Sequence, residues 1–204
     1  MSHNIDMIMY INLNRRTDRR ELIEEELNRY ELRYERFEAF DMPFFGIYGC
    51  LLSHLNVLKI ARDKGYKNIL ILEDDFTFLV SKYELEDNLS KFFNSDIGIN
   101  YNVCMLSYSL HEYEYIDNNV VSKVLFAQTA SGYIINSNYY DKLIELYENV
   151  APLLFQSCAH WLYANDIVWR DLQKADKWYY FKTRIGKQRA GYSDNSNCYN
   201  DYKC

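Results

Sequence analysis

Glycine and proline are scarce in this chain, at 7 and 2 of 204 residues, and no internal repeat, low-complexity block or interdomain linker interrupts it. Without linkers, a chain of this length reads as one large domain or two tightly associated lobes. Long apolar runs are also missing: none approaches the roughly 20 residues that span a bilayer, so no transmembrane segment is expected. The N-terminus lacks the basic start and apolar stretch of a secretory signal. The last residues, Asn200-Asp201-Tyr202-Lys203-Cys204, form neither a retention signal nor a prenylation box. Excess positive charge is absent, with 23 Lys and Arg against 29 Asp and Glu and a formal charge of -6. That balance argues against a nucleic-acid partner, which needs a basic surface to displace counterions from phosphates. A nucleotide ligand stays open, because a few local Arg residues or a metal neutralise its phosphates. The cysteines, Cys50, Cys104, Cys158, Cys198 and Cys204, are odd in number and scattered. They read as mostly buried, reduced thiols of a cytosolic protein, and cytoplasmic localisation is the expectation.

What is present is the balance of an ordinary globular protein, 49% hydrophobic and 25% charged. A domain of this size hides roughly 70% of its unfolded surface. The 20 tyrosines stand out. Tyrosine is common where sugars are stacked and hydrogen-bonded, but a biased genome gives the same excess, and that plainer reading is preferred.

Met7 to Leu13 is a continuous apolar run, the mark of a buried parallel strand. A helical stretch follows, for which Asp18 and Glu21 offer a capping box and Ile23, Leu27 and Tyr30 one apolar face. Tyr34 to Phe40 reads as a second strand, stopped by Met42-Pro43. A helix near Tyr48 to Arg62 aligns Leu51, Leu55 and Leu58, and a turn over 64–68 leads to the apolar strand Ile69 to Leu72. Beyond lie a helix over 85–93, a strand over 103–107, a hairpin around Asp117-Asn118-Asn119, and a strand over 132–136. The next helix carries Tyr140, Leu143, Ile144 and Tyr147 on one face. The stretch 151–166 resists assignment. A short helix over 167–175, a strand over 178–182 and a loop-rich tail complete the chain. Alternating strands and helices predict an α/β sheet.

The triplet Glu73-Asp74-Asp75 ends the third strand, where ligand crevices of open α/β sheets lie. Side-chain alternation places residues 73 and 75 on one side of an extended chain. Converging carboxylates repel unless a cation or proton intervenes, and Mg²⁺ or Mn²⁺ takes oxygen ligands and bridges carboxylates to a diphosphate. A solvated acidic loop, or a helix N-terminus with favourable Asp residues, would look the same in isolation.

Five stretches taken together go further. Tyr10 to Arg20 (YINLNRRTDRR), Gly46 to His54 (GIYGCLLSH), Ile71 to Asp75 (ILEDD), and the later pair Thr129 to Ile135 (TASGYII) and Gln188 to Asp194 (QRAGYSD) resemble the motif blocks of glycosyltransferase family 25. This family includes bacterial lipooligosaccharide and animal procollagen galactosyltransferases, acting in lipopolysaccharide and other glycan biosynthesis. The blocks occur in the expected order over most of the chain.

The resemblance implies an α/β fold of the glycosyltransferase-A type, a mixed, mainly parallel sheet flanked by helices. It implies a single domain over 1–204, with a nucleotide-binding part over about 1–110 and an acceptor-side part over about 111–204. It also implies a UDP-galactose or UDP-glucose donor, a glycan or protein acceptor, inversion at the anomeric carbon and assistance by Mn²⁺ or Mg²⁺. By motif match, Asn12, Leu13, Arg15 and Arg19 lie against the nucleotide, and Glu73 and Asp75 hold the metal. Ser53, His54, Asp74 and Gln188 are further candidates for the donor site.

An Arg-rich loop after the first strand suits diphosphate, since guanidinium pairs bidentately with phosphate oxygens. Arg20 reads instead as a surface charge, and His54 as either a hydrogen-bonded core residue or a site residue. Inverting transfer needs a general base. Asp166 is either that base or the cap of the short helix after it, and Asp194 either completes the metal shell or binds the acceptor. His160 and Trp161 make a sugar platform or, the preferred reading, a buried aromatic cluster. Two other functions compete: a catalytically silent relative that binds a nucleotide-sugar or glycan, and a metal-dependent phosphohydrolase. The latter wants more ligands near a second metal than 4 histidines, one of them His3 at the terminus, supply.

Overall fold

The computed structural model describes residues 4–194, 198–202 and 204, so His3 lies outside the described residues. The opening run forms β1 (Met7–Asn12), buried along its whole length. After α1 (Thr17–Arg29), β2 (Tyr34–Glu38), α2 (Gly46–Asp63) and β3 (Asn68–Glu73) complete a first half in which β1 lies between two parallel neighbours. A strand covered on both faces and both edges meets no water, which is why β1 and β3 read as unbroken apolar runs rather than alternating ones.

The chain continues through β4 (Phe76–Phe78), α3 (Lys82–Phe93), α4 (Asp96–Ile99), β5 (Val103–Met105), β6 (Ser109–Glu114), β7 (Val121–Gln128), β8 (Gly132–Asn136) and α5 (Tyr140–Ser157). It ends with α6 (His160–Tyr163), α7 (Asn165–Val168), α8 (Arg170–Ala175), β9 (Trp178–Phe181), β10 (Gly186–Gln188), β11 (Gly191–Ser193) and β12 (Cys198–Asn200). The main sheet has eight strands in the order β2-β1-β3-β8-β5-β9-β7-β6. Only β8 and β7 run against the other six, so the sheet is mixed and mainly parallel. Alternate side chains of β1 enter different cores. Met7, Met9 and Ile11 pack with Leu51, Leu55 and Leu58 of α2 and with α5, whereas Ile8 and Tyr10 meet Ile23 and Leu27 of α1.

Four local expectations are corrected. The Asp18–Glu21 capping box does not form: α1 starts at Thr17 with Arg16 at its N-cap and no side-chain cap. Asp18 is instead taken by the Arg16 guanidinium at 2.8 Å, which helps hold its carboxyl down at about 2. A capping box does form on α3, between Ser81 and Glu84. Over 151–166, α5 runs on through Pro152 to Ser157, and two single-turn helices follow. The tail is not merely loop, because β10 pairs with β4 and β11 with β12. All five cysteines are free, but Cys158 and Cys198 are exposed. Cys158 takes the left-handed cap of α5 at φ 55° and so faces out.

The β4–β10 pair positions the acidic turn. Phe76, directly after Asp75, is fully buried, and two glycines make room for its ring. A Cβ on Gly132 would come 2.5 Å from Phe76 Cε2, and one on Gly186 would come 2.1 Å from Cζ. Gly186→Ala should therefore destabilise the fold by about 1–3 kcal/mol through overpacking. Thermal melting checks this, and an unchanged midpoint would mean that Phe76 swings aside freely.

Candidate active site

The carboxyl ends of β1 and β3 open into a cleft of about 860 Å³. Glu73 is the last residue of β3, and Asp74 and Asp75 form a turn leading into β4. Strand alternation therefore does not set the position of Asp75, whose carboxyl feels the Glu73 charge. The turn does so, tied by the Arg189 N–H to the Asp75 carbonyl at 2.6 Å and by the β4–β10 pairing.

Each carboxylate has its own support. Glu73 Oε1 meets His54 Nε2 at 3.1 Å and the Cys50 thiol at 3.6 Å. An ionised carboxylate only accepts, so a neutral His54 carries its proton on Nε2 and accepts the Tyr133 hydroxyl on Nδ1 at 2.9 Å. Burial pushes Glu73 upward, but the His54 and Cys50 bonds and the Arg19 charge bring it below its ordinary value. Burial drives the Cys50 thiol well up, with the Glu73 charge adding to it.

Asp74 accepts from Asn12 Nδ2 at 2.7 Å and Arg19 Nη1 at 2.9 Å. Burial still raises it. Asp75 Oδ2 accepts from the same Arg19 Nη1 at 3.1 Å and from Gln188 Nε2 at 3.3 Å. Its Oδ1 is buried with no hydrogen-bond partner among the described residues. Burial, joined by the charges of Glu73 and Asp74, pushes Asp75 up to about 7 against the pull of Arg19. A buried, unmet acceptor costs about 1–3 kcal/mol, and here it sits among like charges with one shared guanidinium.

Leu13, Arg15, Arg19, Ser53, Gln188 and Asp194 line the cleft together with the acidic turn. Asn12 and His54 are buried behind it, at 1% and 0% exposure. Asn12 clamps Asp74 and the Arg16 carbonyl while accepting from Arg36 Nε at 3.1 Å. Ser53 Oγ bonds the Gly49 carbonyl at 2.7 Å and the Phe40 N–H at 3.0 Å, which fixes the start of α2 against the loop before it. Arg15 bridges Asp41 at 3.0 Å and Asp194 at 2.6 Å, and Arg16 also pairs with Asp194. The two arginines hold Asp194 below its ordinary value although burial opposes them.

Asp166 stands at the start of α7 and lines the cleft. Its Oδ2 accepts the Thr129 N–H at 3.1 Å. Thr129 has φ 82°, the left-handed region that a β-branched residue rarely enters, and its hydroxyl contacts the Cys204 thiol at 3.1 Å. Burial raises the Asp166 carboxyl, the Thr129 bond opposes it, and the Glu73 charge adds to the rise.

Several side chains of the cleft carry no sequence signal of their own. Asn165 is 5% exposed and its Nδ2 has no partner among the described residues. Trp161 corrects the buried-cluster reading, since it lines the cleft at 64% exposure while Trp169 and Trp178 fill the core. Cys50 stands in the second motif block without a role of its own. Its spacing of four residues from His54 on one helix is the available clue, because such residues share a face.

No family model matches the sequence. A protein of Acanthamoeba polyphaga mimivirus bearing a provisional glycosyltransferase name is 40% identical over 106 residues, covering 41% of this chain and 32% of that protein. A Drosophila melanogaster protein named as a glycosyltransferase 25 family member is 31% identical over 102 residues, covering 37% of this chain and 17% of its own length. The chain thus matches about a third and about a sixth of these relatives. Among solved structures, a protein from STIV superposes with a TM-score of 0.52 at 13% identity, over 96% of this chain and 95% of its own. The glycosyltransferase GlyE of Streptococcus pneumoniae TIGR4 gives 0.51 at 14% identity, over 88% of this chain and 45% of its own. The resemblance to glycosyltransferase family 25 read from the motifs is thus supported by two relatives named as glycosyltransferases, one of them a family 25 member, and the fold is of the glycosyltransferase-A type. No helix among the described residues is long and apolar enough to cross a membrane.

Proposed function

We propose that the protein is a glycosyltransferase that takes galactose or glucose from a UDP-sugar held in this cleft. The hexose passes to a hydroxyl of a glycan or protein acceptor with inversion at the anomeric carbon. The sequence likeness to two named glycosyltransferases and the shared fold support the reaction class. The observation that carries the donor site is the orphaned Asp75 Oδ1, buried in the cleft beside Glu73. An oxygen-only donor set with an unmet lone pair fits a hard divalent cation, and Glu73 and Asp75 would hold it. Mn²⁺ or Mg²⁺, when bound, withdraws electrons from the departing diphosphate.

The rest falls to the chain's own residues. His54 and Cys50 hold one oxygen of Glu73, and Gln188 and Arg19 hold one oxygen of Asp75, which aims both carboxylates. Arg15 and Arg19 offer guanidinium groups on the cleft wall, matched to phosphate oxygens. In transfer, the acceptor oxygen attacks the anomeric carbon as the bond from that carbon to the phosphate oxygen breaks. UDP leaves with the electron pair, and the acceptor's proton goes to a carboxylate. Asp166 is the base of choice: it is raised by burial and has no ion pair among the described residues, whereas Asp194 is neutralised by two arginines.

The test is UDP release from a panel of UDP-sugars in Mn²⁺ or in EDTA, with water as acceptor. One donor turned over only with metal is expected. A protein that neither hydrolyses nor binds any of them is no UDP-sugar transferase.

A further inference from the structure

The short helices α6 and α7 carry features that donor binding leaves unused. Trp161 is 64% exposed and Phe44 fully so, at 104% of the reference value, and both rings line the mouth of the cleft. Most large aromatics of the chain are packed in its two cores. Exposed rings on the lining of a cleft mark a binding surface. Four residues after Trp161 comes Asn165, more than nine-tenths buried, which lines the same cleft and whose amide donor meets no acceptor among the described residues. The next residue is Asp166.

We propose that Trp161, Asn165 and Phe44 form the acceptor subsite, and that it takes a pyranose ring. A pyranose has one apolar C–H face and a rim of hydroxyls. An indole ring covers such a face, and a planar amide donor in a confined position takes a hydroxyl on the rim. A hydroxylated amino-acid side chain offers the hydroxyl but no ring face, and would leave both aromatics in water. Ala164, at ψ 149°, breaks α6 from α7 and sets the Asn165-Asp166 pair at the start of a new turn. This subsite rests on the reading that Asp166 takes the acceptor's proton, since Asn165 brings the hydroxyl rim to the neighbouring carboxylate.

Trp161 supplies its own reporter. The chain has 3 tryptophans, and Trp169 and Trp178 are at 0% exposure. Collisional quenching by acrylamide therefore reads Trp161. The experiment titrates the full chain, without donor, with the methyl α- and β-glycosides of glucose, galactose, mannose and N-acetylglucosamine, and with lactose. At least one should shield Trp161 from acrylamide. Asn165→Ala should weaken that binding roughly tenfold, the value of one lost hydrogen bond. Should the Asn165 variant fold poorly, Phe44→Ala and Trp161→Leu change exposed residues only, and calorimetric titration should show weaker binding in both. If no saccharide of the set shields Trp161, or if all three variants bind as the wild type does, the subsite is refuted. UDP release by the wild type with water as acceptor is read separately. Shielding without UDP release removes the transferase and leaves the subsite, and UDP release without shielding does the reverse.

Discussion

Asp75→Asn should cut metal-dependent UDP release at least about 100-fold, because a metal's stabilisation of the leaving group is worth several kcal/mol. The same change should leave the melting temperature unchanged or raised. Asp75 is part-buried next to Glu73 and Asp74, one of its oxygens is unmet among the described residues, and a single Arg19 guanidinium serves two of the carboxylates. Removing one charge from such a group lessens both desolvation and repulsion. Arg19 keeps its contact with Asp74 at 2.9 Å, so no cation is stranded. A functional residue held at a cost to stability behaves in this way, whereas a structural one loses both properties together. Mn²⁺ should raise the melting temperature of the wild type, since it binds the folded state alone, and should fail to do so in the variant. An Asp75→Asn protein that still releases UDP with metal would remove Asp75 from the ligand set. Lost activity with a collapsed melting point would make Asp75 a structural residue.

Asp166 gives the second large effect, and two substitutions separate its roles. Asp166→Asn keeps an oxygen able to accept the Thr129 N–H but cannot take a proton. Donor hydrolysis should fall by roughly 10²–10⁴-fold with the fold intact, the range for loss of a general base. Asp166→Ala also strips the support from Thr129, whose φ of 82° is costly for a β-branched residue. It should lose a further 1–3 kcal/mol of stability, about the size of such strain or of an unmet donor. Adding Thr129→Gly to the Ala variant should recover stability, read by chemical denaturation, without recovering activity. If the Asn variant hydrolyses donor normally, the base lies elsewhere. Asp194 would then need release from Arg15 and Arg16 before it could serve.

Much of the first half of the fold is legible in the sequence. Met7 to Ile11 and Ile69 to Leu72 are unbroken apolar runs because both strands are buried on both faces. Helix α2 shows its face through Leu51, Leu55 and Leu58, and α5 through Tyr140, Leu143, Ile144 and Tyr147. Periodicity of this kind is a local property, written in residues a few positions apart. The acidic triplet is likewise local: a buried strand ends, and its polar residues must leave the core.

What lies between distant segments was not legible. Nothing near Asp194 indicates that its partners are Arg15 and Arg16, which stand 179 and 178 positions away. The ring of Phe76 fits only because Gly132 and Gly186 arrive from other strands. A tail read as loop becomes β10 because β4 presents an edge to it. Trp161 is the sharpest case, since the same residues serve equally well as a packed cluster or an open platform. Exposure is a relation between a side chain and everything that packs around it. The sequence by itself therefore determined the main elements of the first half, the buried faces of α2 and α5 and the place of the acidic turn. Which carboxylate is neutralised, which oxygen is left without a partner and which aromatic faces water were decided by the closing of the fold, because burial and charge pairing depend on what distant segments bring within a few ångströms.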